Sequence, residues 1–240
     1  MSNPLLEKWH TPFEMPPFEH IQSAHFSEAF ELALQRNQAE IDQIANQTLP
    51  ATFENTLLAL EISGELLNQT ASVFFNLSSS HTSPEIQAIE REISPKLAAH
   101  SAAMFLNAAL FERIDKLHAE RASLGLDSES IRLIERYHLD FVRAGARLKD
   151  KDRQAFAEYS EKLASCFTQF SQNVLADEAA FCLVLTEADQ LKGLPDFVKS
   201  AAQQLAKERG LEQHNAHAFT LSRSSITPFM TFSERRDLRE

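Results

Sequence analysis

Glycine occupies only 5 of 240 positions, roughly 2% against a usual ~7%. The positive-φ positions that tight hairpins and phosphate-cradling loops require are therefore few. A chain with few tight turns is built from long elements, and the reading is mainly α. Its rings are lopsided, 18 Phe against 2 Tyr and 1 Trp, which makes them apolar packing material more than amphipathic contact residues. At 43% hydrophobic residues, a chain of this length can bury about 70% of its unfolded surface.

The formal net charge of -11 repels phosphate backbones and anionic lipid, so neither nucleic acid nor a membrane is expected as a partner. The start, Met1-Ser2-Asn3-Pro4-Leu5-Leu6-Glu7, has no basic stretch followed by an apolar run, and no segment approaches the ~18 apolar residues that span a bilayer. A soluble, cytoplasmic protein is the expectation. Cys166 and Cys182 form no Cys-x-x-Cys pattern and read as two buried, unpaired thiols.

Along the chain, residues 1–22 carry Pro4, Pro12, Pro16 and Pro17, which fix φ and remove amide donors, so an extended arm is expected, pinned by Trp9, Phe13 and Phe18. Residues 23–178 read as long helices. Phe26, Phe30, Ala33, Leu34, Ile41 and Ile44 recur at helical spacing. A second helix starts at Thr52 and runs to Ser80, with Gly64 its weak link. Ser83-Pro84-Glu85 caps a third, which Pro95 should kink or divide. Asn107 caps a fourth, reaching about Arg121. Ser128 opens a fifth, with Ile131, Ile134, Leu139 and Phe141 inward and Gly145 as terminator. The sixth begins at Asp150 or Asp152, where Phe156, Tyr159, Leu163, Phe167, Phe170 and Val174 step by three and four, a core-facing pattern. Residues 179–240 read as a ribbon plus helices: strands at Phe181–Leu185 and Ala218–Leu221, with a helix from Pro195 to Arg209 between them. Strand direction is open. Ser233 should cap a last helix through Glu240, where the chain is expected to be cut within an element, so that Phe229, Met230, Phe232 and Leu238 would pack against a missing part.

Tests for chemistry come back empty. His-Glu-x-x-His, which sets two zinc ligands on one helix face beside a water-activating carboxylate, is absent. His214 and His217 are three apart ahead of a strand, and His20 and His25 five apart, so neither makes a convincing metal pair. There is no phosphate loop and no Gly-x-Ser-x-Gly. Asp177-Glu178 reads as a solvated or capping pair. Arg235, Arg236 and Arg239, interleaved with Glu234, Asp237 and Glu240, read as a salt-bridged helix face. No catalytic, cofactor-binding or metal-ligating residue is assigned.

Specific strings carry more. Asn3-Pro4-Leu5-Leu6, the arm from Trp9 to Phe18, Pro50-Ala51-Thr52-Phe53-Glu54-Asn55-Thr56, Phe74-Phe75-Asn76-Leu77, Glu135-Arg136-Tyr137-His138, Asp140-Phe141-Val142-Arg143-Ala144-Gly145-Ala146, Gln172 to Glu178 and Arg235 to Glu240 occur in the order in which they stand in the bacterial peptidyl-dipeptidases of the Dcp type. The chain resembles that family, relatives of oligopeptidase A and thimet oligopeptidase, throughout its length. The resemblance implies that residues 1–240 are one N-terminal helical domain with a small two-stranded ribbon, like the N-terminal region of neurolysin and thimet oligopeptidase, without the catalytic domain. It further implies a parent zinc metallopeptidase that removes C-terminal dipeptides from short unfolded peptides. This region would form a channel wall and the missing C-terminal catalytic half would be its partner. The zinc ligands of such enzymes lie beyond this span, so the chain alone is expected to be inactive. The alternative is a stand-alone helical interaction domain without catalysis.

Overall fold

A computed structural model describes residues 3–211 and 215–240, with the side chain of Asp150 excepted. The chain divides into two compact units, Met1–Gln169 and Phe170–Glu240.

The first unit is organised by α1 (Ala24–Asn46), whose apolar stripe is long enough to enter two cores. Its first half contributes Phe26, Ala29 and Phe30 to a cluster with Leu5, Val73, Phe74, Ile86 and Ile93. The Phe74 ring lies edge-on to Phe26 at 5.0 Å and to Phe30 at 5.3 Å, the geometry that aromatic quadrupoles prefer. Its second half places Ile41, Ile44 and Ala45 against Leu57, Leu110, Ile114, Leu117, Ile134 and Phe141.

The elements around α1 follow the local signals, with informative exceptions. Thr52 does cap a helical start, accepting from the Asn55 backbone while the Asn55 side chain accepts from the Thr52 N–H. The expected single helix to Ser80 is nevertheless interrupted. A wide π-turn over Phe53–Leu58 leads into α2 (Ala59–Ile62), and α3 (Glu65–Ser80) begins anew. Gly64 makes the break, with φ of +73° and its N–H donated to the Glu40 carboxylate at 2.7 Å. A Cβ there would stand 2.8 Å from Asn37 Nδ2, so both backbone and space demand glycine.

In α4 (Pro84–Phe105), Ser83 caps as expected and Pro95 sits inside without dividing the helix. Asn107 caps α5 (Ala108–Glu120). α6 (Ser128–Arg143) begins at Ser128 as expected and is capped by Asp127, whose carboxylate accepts from the Ser130 N–H at 2.8 Å. Ile134 and Phe141 point inward, but Leu139 is exposed. The arm is less extended than its prolines suggest: three short 3-10 turns span Pro4–Leu6, Pro12–Glu14 and Phe18–His20. Leu5 and Trp9 anchor it, the indole N–H donating to the Pro4 carbonyl at 2.9 Å. Phe13 anchors nothing, since it is 98% exposed, and Phe18 is exposed too.

The largest correction concerns α7 (Asp150–Ala180), the longest helix, inside which the division between units falls. The helix forms where its periodicity places it, but Phe156, Tyr159, Leu163, Phe167, Phe170 and Val174 all face solvent. Cys166 is likewise exposed instead of buried, while Cys182 is half-buried, and both thiols are free. Periodicity reports which face of a helix is apolar, and not whether that face is covered within the same span.

In the second unit, β1 (Leu183–Leu185) pairs antiparallel with β2 (His217–Phe219), Leu183 opposite Phe219 and Leu185 opposite His217. A two-stranded ribbon needs a packing surface, and α8 (Asp196–Glu208) supplies it with Val198, Ala202 and Ala206, four residues apart on one face. A further helix, α9 (Arg223–Phe232), follows, with Phe229 packed against Phe219 at 4.6 Å. The expected cap at Ser233 is displaced: Ser233 is buried at the end of α9, and α10 covers only Arg236–Arg239. Of the four apolar residues expected to await a missing part, Phe229 is buried and Leu238 packs on this unit's own core, whereas Met230 and Phe232 stay exposed.

These packing differences predict a contrast. Phe74→Ala should lower stability by about 3–5 kcal/mol, as for a buried aromatic, whereas Phe167→Ala in this chain should cost less than about 1 kcal/mol. Urea denaturation of the two variants measures both.

Candidate functional site

Two polar constellations in the first unit bring together residues that are remote in sequence. The first surrounds Arg113 of α5. Its guanidinium donates to the Leu49 carbonyl at 2.9 Å, to Asn55 Oδ1 at 2.9 Å and to Thr56 Oγ1 at 3.1 Å. These acceptors are neutral, so the planar fork is used as a rigid multidentate donor and not as half of an ion pair. Partial burial lowers the Arg113 pKa from its ordinary value. The string Pro50 to Thr56 is thereby explained as a loop and helix cap clamped from α5.

The second constellation lies between α5 and α6. The His118 and His138 rings stack 3.8 Å apart and 5° from parallel, and Phe111 also stacks on His138 at 5.8 Å. His138 Nε2 lies 2.9 Å from the Asp115 carboxylate, which also accepts from Arg147 at 3.2 Å, while Arg121 reaches Glu135 at 3.3 Å. The hydrogen bond from His138 lowers the Asp115 pKa most, ahead of Arg147. Burial is the main cause that lowers the His118 pKa, aided by His138 and Arg121 and opposed by Asp115 and Glu135. Nearby, the Tyr137 hydroxyl donates to Glu61, and its pKa is raised first by burial and then by that carboxylate.

Neither constellation gathers side chains around a common point in the way a metal centre does. Imidazoles bind a metal through lone pairs in the ring plane. In two stacked parallel rings those lone pairs do not converge on one ion. Among the described residues, no group of three or more His, Cys, Asp or Glu side chains could hold a metal. Of the sequence candidates, His217 is buried on β2 with Nδ1 unpartnered, and His214 lies outside the described residues. His25 accepts from the Gln22 N–H, and His20 is exposed. Asp177 and Glu178 stand near the end of α7. Arg235 bridges Asp237 at 2.6 Å and Asp189 at 2.8 Å, and Arg236 pairs with Glu240 at 2.8 Å. The expected salt-bridged face forms only in part: Arg235 lies ahead of the short helix and takes one partner, Asp189, from 46 residues away, and Arg239 Nε is buried without a hydrogen-bond partner. In the second unit, a cavity of about 250 Å³ between α8 and α9 is lined by Phe197, Ala201, Leu205, Phe219, Ser224 and Pro228. Sequence reading did not find Arg113 or the histidine stack, because pairing across helices leaves no periodic trace.

No protein-family model matches the chain. The chain is 39% identical over 212 residues to dipeptidyl carboxypeptidase of Salmonella typhimurium, covering 88% of the chain and 31% of that protein. It is 37% identical over 238 residues to dipeptidyl carboxypeptidase of Escherichia coli, covering 99% of the chain and 35% of that protein. This chain is homologous to the N-terminal portion of the dipeptidyl carboxypeptidases. Oligopeptidase A of Escherichia coli is a more distant homologue, 28% identical over 240 residues, which make up 34% of its length. The chain thus spans about a third of the length of the curated relatives that it matches. Within this dipeptidyl carboxypeptidase homologue, the Arg113 clamp and the histidine stack account for two of the strings that first suggested the family, Pro50 to Thr56 and Glu135 to His138, as devices that hold helices together.

Two stability effects follow. Arg113→Lys loses the planar fork and should cost about 1–3 kcal/mol by urea denaturation. In the folded chain His118 is protonated less readily than its ordinary value of 6.5, so the unfolded state takes up the proton first. Stability should therefore fall as the pH drops below about 6.5, and His118→Phe should flatten that slope in melts between pH 7.5 and 5.5.

Proposed function

We propose that the chain is the N-terminal wall of a peptidyl-dipeptidase, a zinc-dependent peptidase that removes C-terminal dipeptides from short unfolded peptides in the cytoplasm. The observation that carries this reading is the homology to dipeptidyl carboxypeptidases over 99% of the chain but only 35% of the Escherichia coli protein. Hydrolysis then belongs to the polypeptide beyond this span. The residues present here do not fit the zinc site: the sequence has no His-Glu-x-x-His, and the stacked imidazoles do not converge on an ion. No chemical step is assigned to this chain.

The part left to it is shape. The first unit is a stack of helices locked by two apolar cores and by the Arg113 clamp, a rigid body suited to bounding a channel and limiting what enters. Rigidity of this kind contributes to catalysis by restricting and orienting substrate, without contact to the reacting atoms.

An assay of dipeptide release from a blocked tripeptide tests it. The longer protein from the same gene should release the C-terminal dipeptide and lose that activity on chelation, and the 240-residue chain should show no turnover. Chelator-sensitive turnover by the 240-residue chain would overturn the reading.

A further inference from the structure

α7 is amphipathic with its polarity reversed. In the part belonging to the first unit, the buried position among the described side chains is the polar Thr168, at 8% exposure, while Phe156, Tyr159, Leu163 and Phe167 are exposed by 36%, 65%, 53% and 66%. At 100° per residue these four fall within about 80° of the helix circumference, a continuous stripe ~17 Å long at ~1.5 Å per residue. Ser160 and Cys166 flank it, and the one charge that reaches it is Lys162, whose ammonium lies over the Tyr159 ring at 5.9 Å. Helices that serve only solubility carry charge on their outer face, and a contiguous exposed apolar patch marks a contact.

We propose that this stripe is the docking surface for the polypeptide that, in the dipeptidyl carboxypeptidases, extends beyond the matched span. The proposal rests on the reading of the chain as the first third of a longer peptidase and names which face holds the remainder. Three observations select that occupant. The matched relatives are about three times as long as this chain, so a covalently continuous partner is at hand. The four side chains expose on the order of 400 Å², below the ~800 Å² per partner that a standard association between separate molecules buries, although Phe170 and Val174 of the same helix extend the exposed face. A tethered segment has a high effective concentration and so needs less area than a second copy. The stripe is also a convex helix face and not a cleft, which suits packing better than capture of a small peptide. Its occupant presents an apolar, uncharged surface with one polar group positioned for the Tyr159 hydroxyl, a ring that already carries Lys162 at 5.9 Å.

Cys166, exposed at the edge of the stripe, reports its cover directly. Maleimide labelling, read by mass spectrometry on the peptide that contains Cys166, should be at least about tenfold slower in the longer protein than in the 240-residue chain, without added peptide. Equal rates would overturn the proposal, and so would protection that arises only when a blocked tripeptide is added. A double substitution, Leu163→Glu with Phe167→Glu, should lower the melting temperature of the longer protein and leave that of the 240-residue chain unchanged; an equal effect in both would contradict docking. Peptidase activity is measured separately. A longer protein that protects Cys166 but releases no dipeptide would refute the functional reading and sustain the docking surface, and an active enzyme with unprotected Cys166 would do the reverse.

Discussion

The first unit depends on α1 being apolar along its whole length. One 23-residue helix feeds Phe26 and Phe30 into one core and Ile41 and Ile44 into another, so the helices around its first half and those around its second are referred to a single rod. A core broken at either end would release α3 and α4, or α5 and α6, from a common frame. The two polar devices act at the periphery of this frame. Arg113 fixes the π-turn that follows α1, and the His118–His138 stack with its Asp115 partner joins α5 to α6.

Much of this was legible in the sequence because it is local chemistry. Thr52, Ser83 and Asn107 are oxygen-bearing side chains placed before apolar runs, and each accepts the backbone N–H that a helix start leaves unpaired. Gly64 is a weak link by propensity, but propensity does not encode a left-handed turn; the Glu40 carboxylate of α1, which accepts the Gly64 N–H, favours it there. α6 begins at Ser128, where the sequence places it, whereas Ser233 does not cap the last helix because it is buried at the end of α9, and that helix starts only at Arg236. The histidine stack and the Arg113 clamp join residues 20 or more positions apart, and no pattern along one helix encodes them.

The same reasoning applies to α7. Phe156 to Phe167 carry the periodicity of a core helix, yet periodicity marks only an apolar face, and this face is exposed in the chain. Thr168, the polar residue that is buried in their stead, is consistent with a helix whose apolar side belongs to a different contact. Assignment of function follows the same division. Residues within this chain account for rigidity, caps and clamps, whereas the homology to dipeptidyl carboxypeptidases and the stretch of those proteins left unmatched point to chemistry elsewhere.

The central claim, that this span contributes shape and not the metal, is tested most directly by zinc stoichiometry after exhaustive dialysis. The account predicts about one zinc per molecule of the longer protein and none retained by the 240-residue chain. One equivalent of zinc held by the 240-residue chain would contradict it.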